Sequence, residues 1–262
     1  MKRAIFSCAF VLAGLAATAD AQVRADRCGA LNARPAPIGS EFGTGLSIQD
    51  AVDAMLWSGP ALNCSTMQVR HAAFRPGRDL TVLFTYAGGR FFGENNFLGV
   101  YEISDPSNKV PVFIGEDLLR GDQVLMTFLP NGDVLRDGQL VGQNFSSCFG
   151  IYMDIYGGTP LSGGSGNPAV LDWVHYSEDA LCMNALPQML MYRGHGLRYL
   201  SVPGAPNLDP WLFEPNEFLV GVEAQPLDPG PGLLPADRDY NEAVFVMQGV
   251  KTVKRQMGFQ GF

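Results

Sequence analysis

The chain has 262 residues, 47% of them hydrophobic and 17% charged, with 26 Asp and Glu against 18 Lys and Arg for a net charge of -8. That balance removes the electrostatic basis for nucleic-acid binding, because phosphate contacts need clustered Lys and Arg. Its 31 Gly and 18 Pro recur every few residues and divide the chain into short apolar runs, which argues against a helical fold.

Residues 1–21 read as a secretory signal: Lys2 and Arg3, an apolar stretch from Ala4 to Ala17, then Ala19-Asp20-Ala21 as a small-x-small cleavage site. The apolar stretch is shorter than the roughly 20 residues that span a bilayer. Cleavage after Ala21 predicts a chain with no membrane span that is secreted, periplasmic or held at the cell surface. The mature chain would carry 16 Lys and Arg against 25 Asp and Glu, a net charge of -9. Cleavage also removes Cys8 and leaves Cys28, Cys64, Cys148 and Cys182, an even set that predicts disulfides in an oxidising compartment. Three pairings exist; joining sequence neighbours, Cys28 with Cys64 and Cys148 with Cys182, closes the shorter loops. Zinc is disfavoured, since no C-x-x-C pair occurs and His71, His175 and His195 lie in no ligand spacing.

Residues 22–60 form an N-terminal segment with one short helix expected after Ser47. There Ser47 and Asp50 resemble a capping arrangement, and Ile48, Ala51, Val52, Met55 and Leu56 make one apolar stripe. Residues 61–262 read as all-β, a jelly-roll-like β-sandwich. The expected strands are Asp79 to Tyr86, Phe97 to Ile103, Gln123 to Phe128, Asn144 to Tyr156, Ala185 to Tyr192, Asn216 to Glu223 and Ala243 to Val250. Several are apolar on consecutive residues, which predicts burial on both faces or bulged strands. Asn131-Gly132-Asp133 and Asp137-Gly138 have turn chemistry and flank a brief strand. Residues Gly157 to Pro168 and Pro226 to Pro235 are too rich in Gly and Pro for regular strands. No repeat of fixed period is visible, which disfavours solenoids and propellers.

The densest candidate site is Asp237-Arg238-Asp239-Tyr240-Asn241-Glu242, which runs directly into the apolar segment Ala243 to Met247. Oxygen-bearing side chains at alternate positions suit a hard cation such as Ca²⁺. The segment is not an EF-hand: Glu242 stands where that loop requires glycine, and Gln248 where it requires a bidentate glutamate. If Asn216 to Glu223 pairs with Ala243 to Val250, Glu223 reaches the same end of the sheet and supplies a further carboxylate. The rival reading is a solvated acidic turn that caps a hairpin.

Val220-Gly221-Val222-Glu223, a Gly- and Pro-rich loop, and then Asp237 to Phe245 together resemble the C-terminal signature of the DUF4114 family of secreted and surface bacterial proteins. Phe84 to Gly89 and Asn95 to Tyr101 are similar to an upstream segment of that family, in which an alanine-glycine turn and asparagines precede a strand. The resemblance implies a calcium-binding β-sandwich with Glu223, Asp237, Asp239, Asn241 and Glu242 as the ligand set. This chain has Ala224 where the family commonly has Asp, and Glu242 at the family's final Asp. Many members end in a hydrophobic sorting helix with a basic tail; Lys251 to Phe262 shows no such pattern, so anchoring by that route is not expected.

Catalytic signatures are sparse. Glu94, Glu102 and Asp154 are conceivable members of a glycosidase carboxylate pair, although composition alone always offers such pairs. Gly163-Gly164-Ser165-Gly166-Asn167 misses the nucleophile elbow at its last position, and His175 and His195 are isolated. No phosphate loop or dinucleotide fingerprint occurs. The expected role is therefore structural or binding, as an adhesive or carbohydrate-binding module with a glycan or cell-surface partner. The alternatives are a secreted glycan-active hydrolase and a purely structural extracellular protein without metal. Phe91, Phe92, Trp173, Tyr176, Tyr192 and Trp211 are the aromatics nearest candidate loops, where each either meets a glycan or fills the core.

Overall fold

The computed structural model describes residues 56–57, 73–89, 96–115, 118–146, 148–155, 173–178, 181–182, 188–202, 204–205, 207–223 and 242–253. Among these the fold is all-β, with no α-helix. In chain order the strands begin with β1 (Leu56–Trp57), β2 (Phe74–Pro76), β3 (Thr81–Gly88), β4 (Phe97–Glu102) and β5 (Asp105–Ile114). They continue with β6 (Gln123–Phe128), β7 (Val134–Arg136), β8 (Gln139–Gly142), β9 (Phe149–Ile155), β10 (Trp173–Tyr176) and β11 (Met189–Arg193). The last are β12 (Tyr199–Leu200), β13 (Trp211–Leu212), β14 (Glu217–Val222), β15 (Ala243–Gln248) and β16 (Val250–Thr252).

A seven-stranded sheet has the order β11-β14-β15-β3-β6-β7-β8. A six-stranded sheet runs β16-β2-β9-β4-β5, with β10 also paired to β9. A small sheet joins β1, β12 and β13. The two larger sheets share one apolar core. Phe74 of β2 meets Phe218 of β14 edge-on at 5.3 Å, Phe128 of β6 stacks on Phe149 of β9 at 4.8 Å, and Tyr86 of β3 lies 5.8 Å from Phe113 of β5. Such pairs add about 0.5–1.5 kcal/mol each beyond the area they bury.

Two of the places where the chain crosses between the larger sheets, β2 to β3 and β15 to β16, are neighbours. Gly77 follows β2 and Gly249 separates β15 from β16, and the Gly77 N–H donates to the Gly249 carbonyl at 2.6 Å. A Cβ on Gly77 would lie 2.8 Å from that carbonyl oxygen, so only a bare backbone allows the approach.

The consecutive apolar runs are buried on both faces, as their sequence predicts. All six residues of β14 and the first five of β15 are buried. Phe218, Val220 and Val222 enter the shared core, whereas Leu219, Val244 and Val246 are buried outside it.

Several expectations need correction. Leu56, expected as the end of a helical stripe, lies in β1 opposite Leu200; the rest of that helix falls outside the described residues, as do residues 1–21. The strand expected from Asn144 begins only at Phe149, because Asn144 takes a left-handed φ of 61° and Ser146 is tied to Glu102. The ten-residue β5, which contains Pro106 and Pro111, is not among the expected strands. It ends the strand order, and an edge strand tolerates prolines that have no N–H to donate.

Candidate functional site

Pairing of β14 with β15 sets the geometry of the candidate cation site. Their antiparallel register ends at Val222 opposite Ala243, so Glu223 and Glu242 leave the sheet at the same end, flanking the connection that contains Asp237, Asp239 and Asn241. Those three residues lie outside the described residues. Glu223 is fully buried, and its backbone N–H donates to the carbonyl of Gln188, itself buried, at 2.9 Å. A carboxylate at this depth requires hydrogen bonds, a proton or a nearby cation to offset its lost hydration.

The end of β3 closes the other side. Val244 of β15 pairs with Gly88, and a Cβ on Gly89 would stand 2.4 Å from the Glu242 carbonyl oxygen. Gly89 has a φ of 120°, and its carbonyl accepts a 2.8 Å hydrogen bond from the Tyr86 hydroxyl. The alanine-glycine segment of the sequence thus packs its backbone directly against that of Glu242. In donor chemistry, two carboxylates at one sheet end suit a hard cation such as Ca²⁺. Among the described residues, however, no three His, Cys, Asp or Glu side chains converge on one point.

The other candidates have distinct surroundings. Glu102 is buried and accepts four hydrogen bonds, from the N–H and hydroxyl of Ser104 at 3.1 and 2.9 Å and from those of Ser146 at 2.5 and 2.7 Å. It pins two loops together. Glu102 pairs opposite Phe149 and Asp154 opposite Phe97, so the two carboxylates sit five residues apart along paired strands. That is about 17 Å, beyond the ~5–9.5 Å of a glycosidase pair. His175 is buried in the six-stranded sheet, whereas His195 is exposed beyond the end of β11 in the seven-stranded one. Glu94 and Ser165 lie outside the described residues.

The expected Cys148–Cys182 disulfide is not formed, and both residues are thiols. The Cys182 sulfur donates to the Tyr176 carbonyl at 3.0 Å and accepts from the Tyr176 N–H at 3.4 Å, which turns it back onto β10. Cys28 and Cys64 fall outside the described residues.

Among the aromatics, Tyr192 is fully buried, and Trp211 is half-buried with its indole N–H donating to Glu217 at 2.9 Å. Trp173 begins β10, and Phe91 and Phe92 lie outside the described residues.

Two features carried no signal in the sequence. On the face of the six-stranded sheet turned away from the core, the Tyr101 hydroxyl donates to Glu178 at 2.9 Å and its ring meets Tyr176 edge-on at 5.1 Å. Lys109 Nζ lies 5.0 Å from the Tyr152 ring, 5.1 Å from the Tyr176 ring and 3.9 Å from Asp154. Burial pushes both the Tyr101 and Tyr152 hydroxyls far above the usual tyrosine range; the charge of Glu178 adds to the first and that of Asp154 to the second. Both phenols are thus favoured in the protonated form, in which that of Tyr101 donates to Glu178.

The second feature is Glu217 at the start of β14, 6% exposed. It accepts from Gln248 Nε2 at 2.6 Å, Trp211 Nε1 at 2.9 Å and the Glu214 N–H at 3.2 Å. Burial raises its pKa above the usual glutamate value despite these three donors. Compared with known protein families, with curated proteins and with solved structures, the chain matches none.

Proposed function

We propose that this chain is an exported, calcium-stabilised β-sandwich, jelly-roll-like in architecture and similar to DUF4114 proteins, whose role is to bind and not to catalyse. The observation that carries the cation reading is the β14–β15 register, which brings Glu223, fully buried, and the half-buried Glu242 to the two ends of one connection. Asp237, Asp239 and Asn241 within that connection would complete an oxygen ligand set for Ca²⁺. The cation would neutralise converging carboxylates and offset the entropy of ordering a long Pro-rich connection. Two sheets that share one core, with strands crossing between them at Gly77 and Gly249, support the sandwich reading. The signal-like residues 1–21 support an extracytoplasmic location, either secreted or at the cell surface.

The test is thermal unfolding of chelator-treated protein with and without Ca²⁺. At a hundredfold excess over Kd, calcium should add about 2.7 kcal/mol, and Asp239→Ala or Glu223→Gln should abolish that increment. An identical melting curve with and without calcium refutes the proposal.

A further inference from the structure

We propose that a cavity of about 310 Å³, opening between the ends of β5, β6 and β7, binds a neutral polyhydroxylated ligand of monosaccharide size, held by Arg136, Asp122 and Asp137. The proposal gives the binding role above a ligand class and rests on that reading; it does not require the cation. The cavity lies where the edge strand of the six-stranded sheet passes the seven-stranded one, and its volume is at the small end of the ~300–1,000 Å³ typical of ligand sites.

Arg136 lines the cavity from the end of β7, and its Nε–H, sealed from solvent, has no hydrogen-bond partner among the described residues. Asp122 and Asp137 line the same cavity, yet neither forms an ion pair with it. A guanidinium and two carboxylates thus line one space without closing on each other.

The acceptors are held in place from behind. Asp122 accepts the Leu119 N–H through Oδ2 at 2.8 Å, and Asp137 accepts the Leu125 N–H through Oδ1 at 2.9 Å. Each keeps its second oxygen for another donor. Gln123 donates its Nε2 to Thr85 at 3.1 Å, which leaves its amide oxygen available. Phe113 and Ile114 supply an apolar wall, the latter 43% exposed.

Charge decides the ligand class. One guanidinium beside two carboxylates leaves a negative balance, which disfavours phosphates, sulfates and uronates. Hydroxyl groups both donate and accept, so a set of them can satisfy Arg136 and the two aspartates at once. The C–H face of a pyranose would lie against the apolar wall. For about a dozen non-hydrogen atoms the affinity should be roughly millimolar.

The experiment is saturation-transfer NMR and calorimetric titration of the full chain with D-glucose, D-galactose, D-mannose and N-acetyl-D-glucosamine. Glucuronate, inorganic phosphate and glycine serve as comparison probes. At least one neutral sugar should bind, and Arg136→Gln and Asp137→Asn should each weaken it tenfold or more. Asp122→Asn should do the same, and it keeps the test valid if either other variant unfolds. Absence of neutral-sugar binding, preference for a charged probe, or binding that survives all folded variants overturns the proposal. Every titration is repeated with chelator. Sugar binding without a calcium response refutes only the cation, and a calcium response without sugar binding refutes only this site.

Discussion

Gly150 of β9 sits directly opposite Tyr101 of β4, and the phenol ring lies flat across the glycine. A methyl group there would stand 2.2 to 2.4 Å from Tyr101 Cζ, Cε1 and Oη, far inside the ~3.5–4.0 Å of an ordinary contact. Tyr101 is fully buried, so its ring can yield only by displacing Tyr176 or by giving up the bond to Glu178. Overpacking of this kind costs about 1–3 kcal/mol. A lost hydrogen bond to a charged acceptor costs about 1.5–3 kcal/mol. Because tilting the ring relieves the first at the expense of the second, Gly150→Ala should destabilise by about 2–4 kcal/mol in total. In a domain of this size that lowers Tm by roughly 5–15 °C. Calorimetry of Gly150→Ala, Tyr101→Leu and the double variant provides the assay. The double variant should be more stable than the sum of the single effects, since removing the ring makes room for the methyl. A Tm for Gly150→Ala within roughly 1 °C of the parent, or strict additivity in the double variant, would refute the reasoning.

Glu217 predicts a pH dependence. Its folded pKa lies above the unfolded one, so the stability it contributes is fully present below the unfolded value and is lost as pH rises through the folded value. Glu217→Gln keeps the shape and an acceptor for Trp211 and the Glu214 N–H, needs Gln248 to turn its amide oxygen toward the new NH2, and removes the titration. The variant should gain Tm relative to the parent at pH 7 and lose that advantage near pH 4; equal differences at both pH values would count against it. Glu102 predicts a different outcome: replacing it with Ala orphans the Ser104 and Ser146 N–H groups and should cost about 3–5 kcal/mol, read as a lower denaturant midpoint with unchanged slope.

The pairing of Glu223's strand with the one that follows Glu242 was legible because both segments are unbroken apolar runs bounded by acidic residues, and the observed register bears it out. The turns at Asn131 to Asp133 and Asp137-Gly138 were equally legible, since Asp137 and Gly138 take φ values of 50° and 83° that few other residues accept. The Cys148–Cys182 pairing failed because sequence proximity measures loop entropy alone, whereas the local path of the chain carries Cys182 to Tyr176. The Arg136 cavity had no signature to find. Its polar groups come from the ends of separate strands, and each reads alone as an ordinary surface or turn residue.

The strand order also constrains when the protein can fold. β15 lies between β14 and β3 near the middle of one sheet, and β16 pairs with β2 at the edge of the other. Until residues 243–252 have left the ribosome, the first sheet lacks a central strand and the second lacks its rim. Contacts between residues 74–88 and 244–252 close loops of more than 150 residues, a topology associated with slow folding. A nascent chain of this kind keeps its earlier apolar strands without these partners until residues 243–252 have been made.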